Sequence, residues 1–136
     1  MAILSYAKIN LFLKIGKKLG SGYHKMQSVM QNIELSDNIS IEPLNEDRVV
    51  VECTNKELEN DNNLAYKAAL LLKKKFGISN GIRIYIEKNI PIEAGLGGGS
   101  SNAATVLSNL SKLWSLRLSE KQLIELASQI GSDVPF

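Results

Sequence analysis

The chain of 136 residues is 44% hydrophobic and 22% charged, long enough to bury the core of about one domain and too apolar to be intrinsically disordered. Sixteen Lys and Arg against fourteen Asp and Glu leave a net charge of +2, too small a surplus to hold a nucleic-acid backbone by charge alone. The lone Cys53 excludes an internal disulfide and has no neighbours for a zinc site, which fits a reducing, cytoplasmic location, and no apolar run approaches the ~18 residues of a membrane span.

In chain order, residues 3–15 alternate, with Ile9, Leu11, Leu13 and Ile15 on one side and Asn10 and Lys14 on the other, the period of a strand that includes Lys8. Residues 16–22 read as a Gly/Lys/Ser loop, and residues 23–35 as an extended segment ending at the turn signal Ser36-Asp37-Asn38. Ile39 and Ile41 before Pro43, then Val49, Val51 and Cys53, mark two short strands in a meander or hairpin. Over residues 62–76 the period changes, placing Leu64, Ala68, Leu71, Leu72 and Phe76 on one helical face, with Gly77 as the stop and Lys73 to Lys75 as a solvated helix end. Ile82, Ile84 and Ile86 then alternate with Arg83, Tyr85 and Glu87 in a half-buried strand. A glycine-rich loop over 91–99 leads into a helix over 100–114, and Ser119 with Gln122 forms a capping box for a last helix through Ile130, stopped by Gly131. The order predicts an α+β domain with helices on one face of a mostly antiparallel sheet.

The glycine loop carries the clearest chemistry. Glycines lacking Cβ let backbone N–H groups converge, and a helix N-terminus adds unpaired donors and partial positive charge, so strand, loop and helix form an anion cradle whose natural guest is phosphate. Gly95, Gly97, Gly98 and Gly99 with the hydroxyls of Ser100 and Ser101 stand at such a junction. It is not a Walker A loop, which needs lysine where Ser100 stands, nor a Rossmann fingerprint, which needs glycine there and a second strand where this chain has helix. A tight turn or close helix packing is the alternative, against which stands the entropy of four glycines, about 0.5–1 kcal/mol each.

The segment Pro91-Ile92-Glu93-Ala94-Gly95-Leu96-Gly97-Gly98-Gly99-Ser100-Ser101, continuing NAA, resembles the ATP-binding motif of the GHMP small-molecule kinases. SYAKINLFL at 5–13, GYHKMQS at 22–28 and GSDVPF at 131–136 extend the resemblance across the chain in the family's order. It implies the fold of domain 2 of ribosomal protein S5, a mixed, mostly antiparallel sheet with a left-handed βαβ crossover that general topology rules disfavour. It also implies transfer of the ATP γ-phosphoryl group, usually with Mg2+, to the 2-hydroxyl of 4-diphosphocytidyl-2-C-methyl-D-erythritol in non-mevalonate isoprenoid synthesis. Family members are about twice this length, so residues 1–136 are expected to be the N-terminal, ATP-binding domain, inactive without a C-terminal one.

On the matching positions, the resemblance makes Asp133 the catalytic aspartate, orienting the acceptor hydroxyl and accepting its proton late, although Asp before Val-Pro also suits a helix cap. Lys8 becomes the catalytic lysine, Asn10 a substrate contact, and Tyr23 and His24 the cytosine-reading pair, where each is otherwise an ordinary strand or surface residue. The resemblance further implies that residues 91–101 bind ATP, and it places Asn63 and Lys88 near positions that help hold adenosine in the family. The expected partner is a small cytidine diphosphate ester, with no nucleic acid and no membrane. A different GHMP kinase, acting on mevalonate or homoserine, and an S5-like RNA-binding module are the other readings; Asn10, Tyr23 and His24 argue against the first, and the near-neutral charge against the second.

Overall fold

A computed structural model describes residues 2–22 and 24–136. Four strands, β1 (Ile3–Lys18), β2 (His24–Leu44), β3 (Val49–Cys53) and β4 (Gly81–Glu87), form one sheet in the order β1-β2-β4-β3. The β1/β2 and β2/β4 pairs are antiparallel and β3/β4 is parallel. Three helices, α1 (Leu64–Phe76), α2 (Gly98–Leu113) and α3 (Glu120–Ile130), accompany it, with a 3-10 turn at Lys56–Leu58.

One sheet face is apolar because the strand period puts Ile39, Ile82, Ile84 and Ile86 on it, all fully buried with Cys53 against Ala65, Ala68 and Leu72 of α1 and Ala103, Val106 and Leu110 of α2. Each buried isoleucine is worth about 1.5–3 kcal/mol over exposure. The opposite face carries Ser40, Glu42, Glu52, Arg83 and Tyr85 and stays wet, as an antiparallel sheet allows. Burial pushes the Cys53 thiol above its ordinary value, so this cysteine fills core volume rather than offering a reactive thiolate. Lys56, and then the backbone N–H of Cys53, hold the Glu59 carboxyl below its ordinary value and tie the 3-10 turn to the end of β3.

The predicted helices and the capping box are present: Ser119 accepts the Gln122 N–H and the Gln122 side chain accepts the Ser119 N–H. Five expectations need correction. No turn occurs at Ser36-Asp37-Asn38; β2 runs straight through it, because the Asp37 side chain finds its partners outside its own segment. The two strands after it do not form a hairpin, since β4 inserts between them and pairs with both, making β3-α1-β4 a parallel crossover unit. Helix α2 starts at Gly98, inside the glycine run rather than after it. Lys73 is not solvated: its stem is buried and its ammonium meets the Asp47 carboxylate at 2.6 Å and the carbonyls of Ile78 and Asn80 at 3.1 and 2.7 Å, anchoring the end of α1 to the entry of β4.

Strand β1 also continues to Lys18, three residues past its predicted end. Beyond Asn10 it and the facing half of β2 project as a two-stranded arm, with Leu11 62% and Ile15 66% exposed. Register shifts interrupt the pairing between Tyr6 and Lys8 and between Asn10 and Phe12, at the root of that arm.

Candidate active site

The loop between β4 and α2 reverses by left-handed backbone at Glu93 (φ 59°), Gly95 (φ 72°) and Gly97 (φ 67°), the last being the N-cap of α2. Glu93 holds that conformation with a side chain, at a cost of about 1–2 kcal/mol. The first helical bond is donated by Ser101 N–H to Gly97 O at 2.8 Å, so the N–H groups of Gly98, Gly99 and Ser100 precede any acceptor within the helix. They leave a fan of donors without helical acceptors at the positive end of a 16-residue helix, a geometry that suits an anion.

Lys8 binds this loop twice. Its backbone N–H donates to Leu96 O at 2.9 Å, and its side chain lies across Gly97, whose missing Cβ would stand 2.7 Å from Lys8 Cε. The ammonium is then 3.6 Å from Asp133 Oδ2. Lys8 is 9% exposed and Asp133 38%, so the lysine is fixed by packing while the carboxylate remains open to a third group. Asp133 sits in a turn after α3, where Val134, 1% exposed, pins the backbone and the Asp133 carbonyl accepts the Phe136 N–H. Its carboxylate faces Lys8.

Two clefts flank the loop. One is lined by Lys8, Asp133, Tyr6 and Thr105, the other by Asn63, Lys88, Pro91 and Glu93; Gly97 and Ser100 line both. Asn63 is the N-cap of α1, accepting the Ala65 N–H at 2.9 Å, and also borders the second cleft. Among the described residues no group of three or more His, Cys, Asp and Glu stands together. The side-chain oxygens lining the clefts beside the loop include the Ser100 hydroxyl and the carboxylates of Asp133 and Glu93, which stand on different elements and suit Mg2+ carried mainly on nucleotide phosphates rather than in a protein cage.

The structure brings together Lys8, Asp133 and residues 95–101, but not every predicted contact. Asn10 keeps pace with Lys8 two residues along β1, and its side-chain oxygen accepts the Ser28 hydroxyl at 3.1 Å. His24 pairs with Lys18 at the tip of the arm, ten residues from Lys8 and so about 33 Å along an extended strand. Tyr23 lies outside the described residues. Sequence reasoning missed a buried polar group under the loop: Asp37, Ser5 and Asn102, all nearly or fully inaccessible. The available signal was phase, since Asp37 occupies the same odd-numbered positions as Ile33, Leu35, Ile39 and Ile41 and is therefore a carboxylate at a core position.

Comparison with known proteins agrees with this geometry. A family model described as the GHMP kinases N terminal domain matches residues 63–136, more than half of the chain, and the chain belongs to that family. Within it, the chain is 49% identical over its whole length to the 4-diphosphocytidyl-2-C-methyl-D-erythritol kinase of Caldicellulosiruptor bescii, covering 48% of that protein. It is 50% identical over 97% of its length to the like-named protein of Clostridioides difficile, covering 45% of it. A crystal structure of 4-(cytidine 5'-diphospho)-2C-methyl-D-erythritol kinase superposes with a TM-score of 0.80 at 38% identity, over all of this chain and 48% of that one. A mevalonate kinase structure at TM-score 0.70 and 19% identity shares the fold. The chain spans about half the length of the curated relatives it matches.

Proposed function

We propose that residues 1–136 form the N-terminal, ATP-binding domain of a kinase that phosphorylates the 2-hydroxyl of 4-diphosphocytidyl-2-C-methyl-D-erythritol, acting in the cytoplasm with ATP as co-substrate. The observation that carries this reading is the wall shared by two clefts: Gly97 and Ser100 face both the Asn63–Lys88 side and the Lys8–Asp133 side. A nucleotide entering along the first, its phosphates on the N–H groups of residues 98–100, presents its terminal phosphoryl group where an alcohol in the second can attack in line.

Asp133 orients that alcohol and takes its proton as the new P–O bond forms, while the bond to the ADP oxygen breaks. Lys8 stands beside that carboxylate and offsets negative charge on the moving phosphoryl oxygens. Mg2+, when bound, neutralises charge on the nucleotide phosphates. The choice of acceptor rests on the relatives at 49–50% identity and on Asn10, Tyr23 and His24. For His24 to hold the cytosine of a molecule whose hydroxyl reaches Asp133, the arm folds over the cleft, and the register shifts at its root are the places where it can bend.

A coupled ADP-release assay tests this on the 136-residue chain and on the longest form its reading frame encodes, offered the diphosphocytidyl alcohol, mevalonate and homoserine. Turnover is expected with the first substrate and only in a form that carries a second domain. Preference for mevalonate or homoserine would overturn the acceptor assignment, and no ADP release from any would overturn the kinase reading.

A further inference from the structure

We propose that Asp37 is a positioning residue that latches both ends of the phosphate loop and so aims its N–H groups before nucleotide arrives; the inference rests on the reading of that loop as an ATP cradle. Asp37 is fully buried in β2. Its Oδ1 accepts the backbone N–H of Asn89 at 2.7 Å and of Ile90 at 2.8 Å, the second and third residues after β4. Its Oδ2 accepts the Lys88 ammonium and, at 2.9 Å, the side-chain amide of Asn102 in α2. One carboxylate therefore grips the strand end and the helix end of the same loop.

The grip continues into the donor fan. The Asn102 amide also donates to the Ser5 hydroxyl of β1 at 3.0 Å, and Ser5 donates to the Ser101 hydroxyl at 2.9 Å, in the first turn of α2. Lys88, 8% exposed, lies with its ammonium 3.0 Å from the place a Cβ on Gly98 would occupy, directly beneath the first helical N–H groups. Asp37 thus sets where a cation stands under the cradle and how α2 enters it.

Core stability alone does not call for this arrangement. A buried ion pair is commonly matched or bettered by apolar residues of similar size, and the isoleucines on either side of Asp37 in phase show that this strand supplies them. What a fully satisfied polar network adds is one geometry, fixed to fractions of an ångström, at the place where donor direction decides phosphate binding.

The test uses the longest form the reading frame encodes, with Asp37→Asn and the exchange Asp37→Asn/Asn102→Asp. In the single variant the amide nitrogen at 37 faces two donors, so both Oδ2 bonds are lost. In the double variant the amide at 37 donates to the carboxylate at 102, and Lys88, already 3.4 Å from the side-chain oxygen of Asn102, pairs with it there. For Asp37→Asn with an intact cooperative melt, exchange of amides 89–101 without nucleotide is expected to rise about tenfold and KM for ATP about tenfold, the loss of a charge-assisted hydrogen bond, with KM for the alcohol unchanged. The exchanged pair is expected to recover most of both.

Unchanged loop exchange and unchanged KM for ATP would overturn the latch. So would KM values for ATP and alcohol rising together, or a double variant no better than the single. Should Asp37→Asn fail to fold, Asn102→Ala, which removes the helix-end contact and the bond to Ser5 but leaves the Asp37 bonds to residues 88–90, is expected to give the same split at smaller size, and its absence would overturn the latch. If the unaltered protein binds no ATP, the kinase reading falls, and amide exchange in the variants still decides the latch.

Discussion

Asp133→Ala is expected to lower kcat by about 10²- to 10⁴-fold while leaving KM for ATP little changed. The carboxylate lines the Lys8 cleft and not the Asn63–Lys88 cleft, so its loss touches the acceptor and the moving proton rather than nucleotide binding. The main contribution of the carboxylate is to align the attacking oxygen and receive its proton once the P–O bond has largely formed. The 3.6 Å gap to the Lys8 ammonium leaves room for that oxygen to meet both. Single-turnover measurement with saturating ATP separates the chemical step from product release. Turnover persisting within a fewfold of the parent enzyme would remove Asp133 from the reaction.

Gly97→Ala is expected to be nearly as damaging and by a different route, raising KM for ATP and lowering kcat together, by about 10²-fold in kcat/KM. Gly97 has φ 67°, where an alanine is strained by about 1–2 kcal/mol. The added methyl would also stand 2.7 Å from Cε and 2.9 Å from Cγ of Lys8, closer than packed carbon atoms come. Either α2 turns its first N–H groups away from the cradle or Lys8 leaves Asp133, and each spoils a different half of the site. Gly20→Ala, where a Cβ would meet nothing, is the matched control. Equal kcat/KM for the two variants would show that the close approach of Lys8 to the loop has no catalytic weight.

What could be read from the sequence follows the range over which each signal acts. The alternation of Ile82, Ile84 and Ile86, the Ser119–Gln122 box and the glycine run are local, and each appears where its pattern lies. Strand pairing is not local: nothing in residues 49–53 says that their neighbour is β4, thirty residues on and parallel, rather than the nearby end of β2. The Ser36-Asp37-Asn38 signal failed because turn propensity reflects short polar side chains bonding their own backbone, whereas Asp37 bonds partners more than fifty residues away. Lys73 to Lys75 look alike in sequence, yet only the buried position of Lys73 on α1 points its ammonium at Asp47 and two carbonyls. In the site, the cradle was legible from residue type, and so were Lys8 and Asp133 as candidates by resemblance. The supporting shell of Asp37, Ser5 and Asn102 was not, because polar residues scattered over a hundred positions become a network only when the chain closes.

The arm of β1 and β2 buries little of either face, leaving Leu11, Phe12, Leu13, Ile15, Met26 and Val29 each more than half exposed. A two-stranded ribbon held mainly by its backbone ladder is marginal in water, so the molecule has two tiers of stability: a core sheet that opens with global unfolding and a ribbon that opens at far lower free energy. Trypsin under native conditions is therefore expected to cut first at Lys14, Lys17, Lys18 or Lys25, all exposed on the arm, while the buried Lys8 and Lys73 survive until the core melts. First cuts in α1 or α2 would show that the ribbon is the sturdier part.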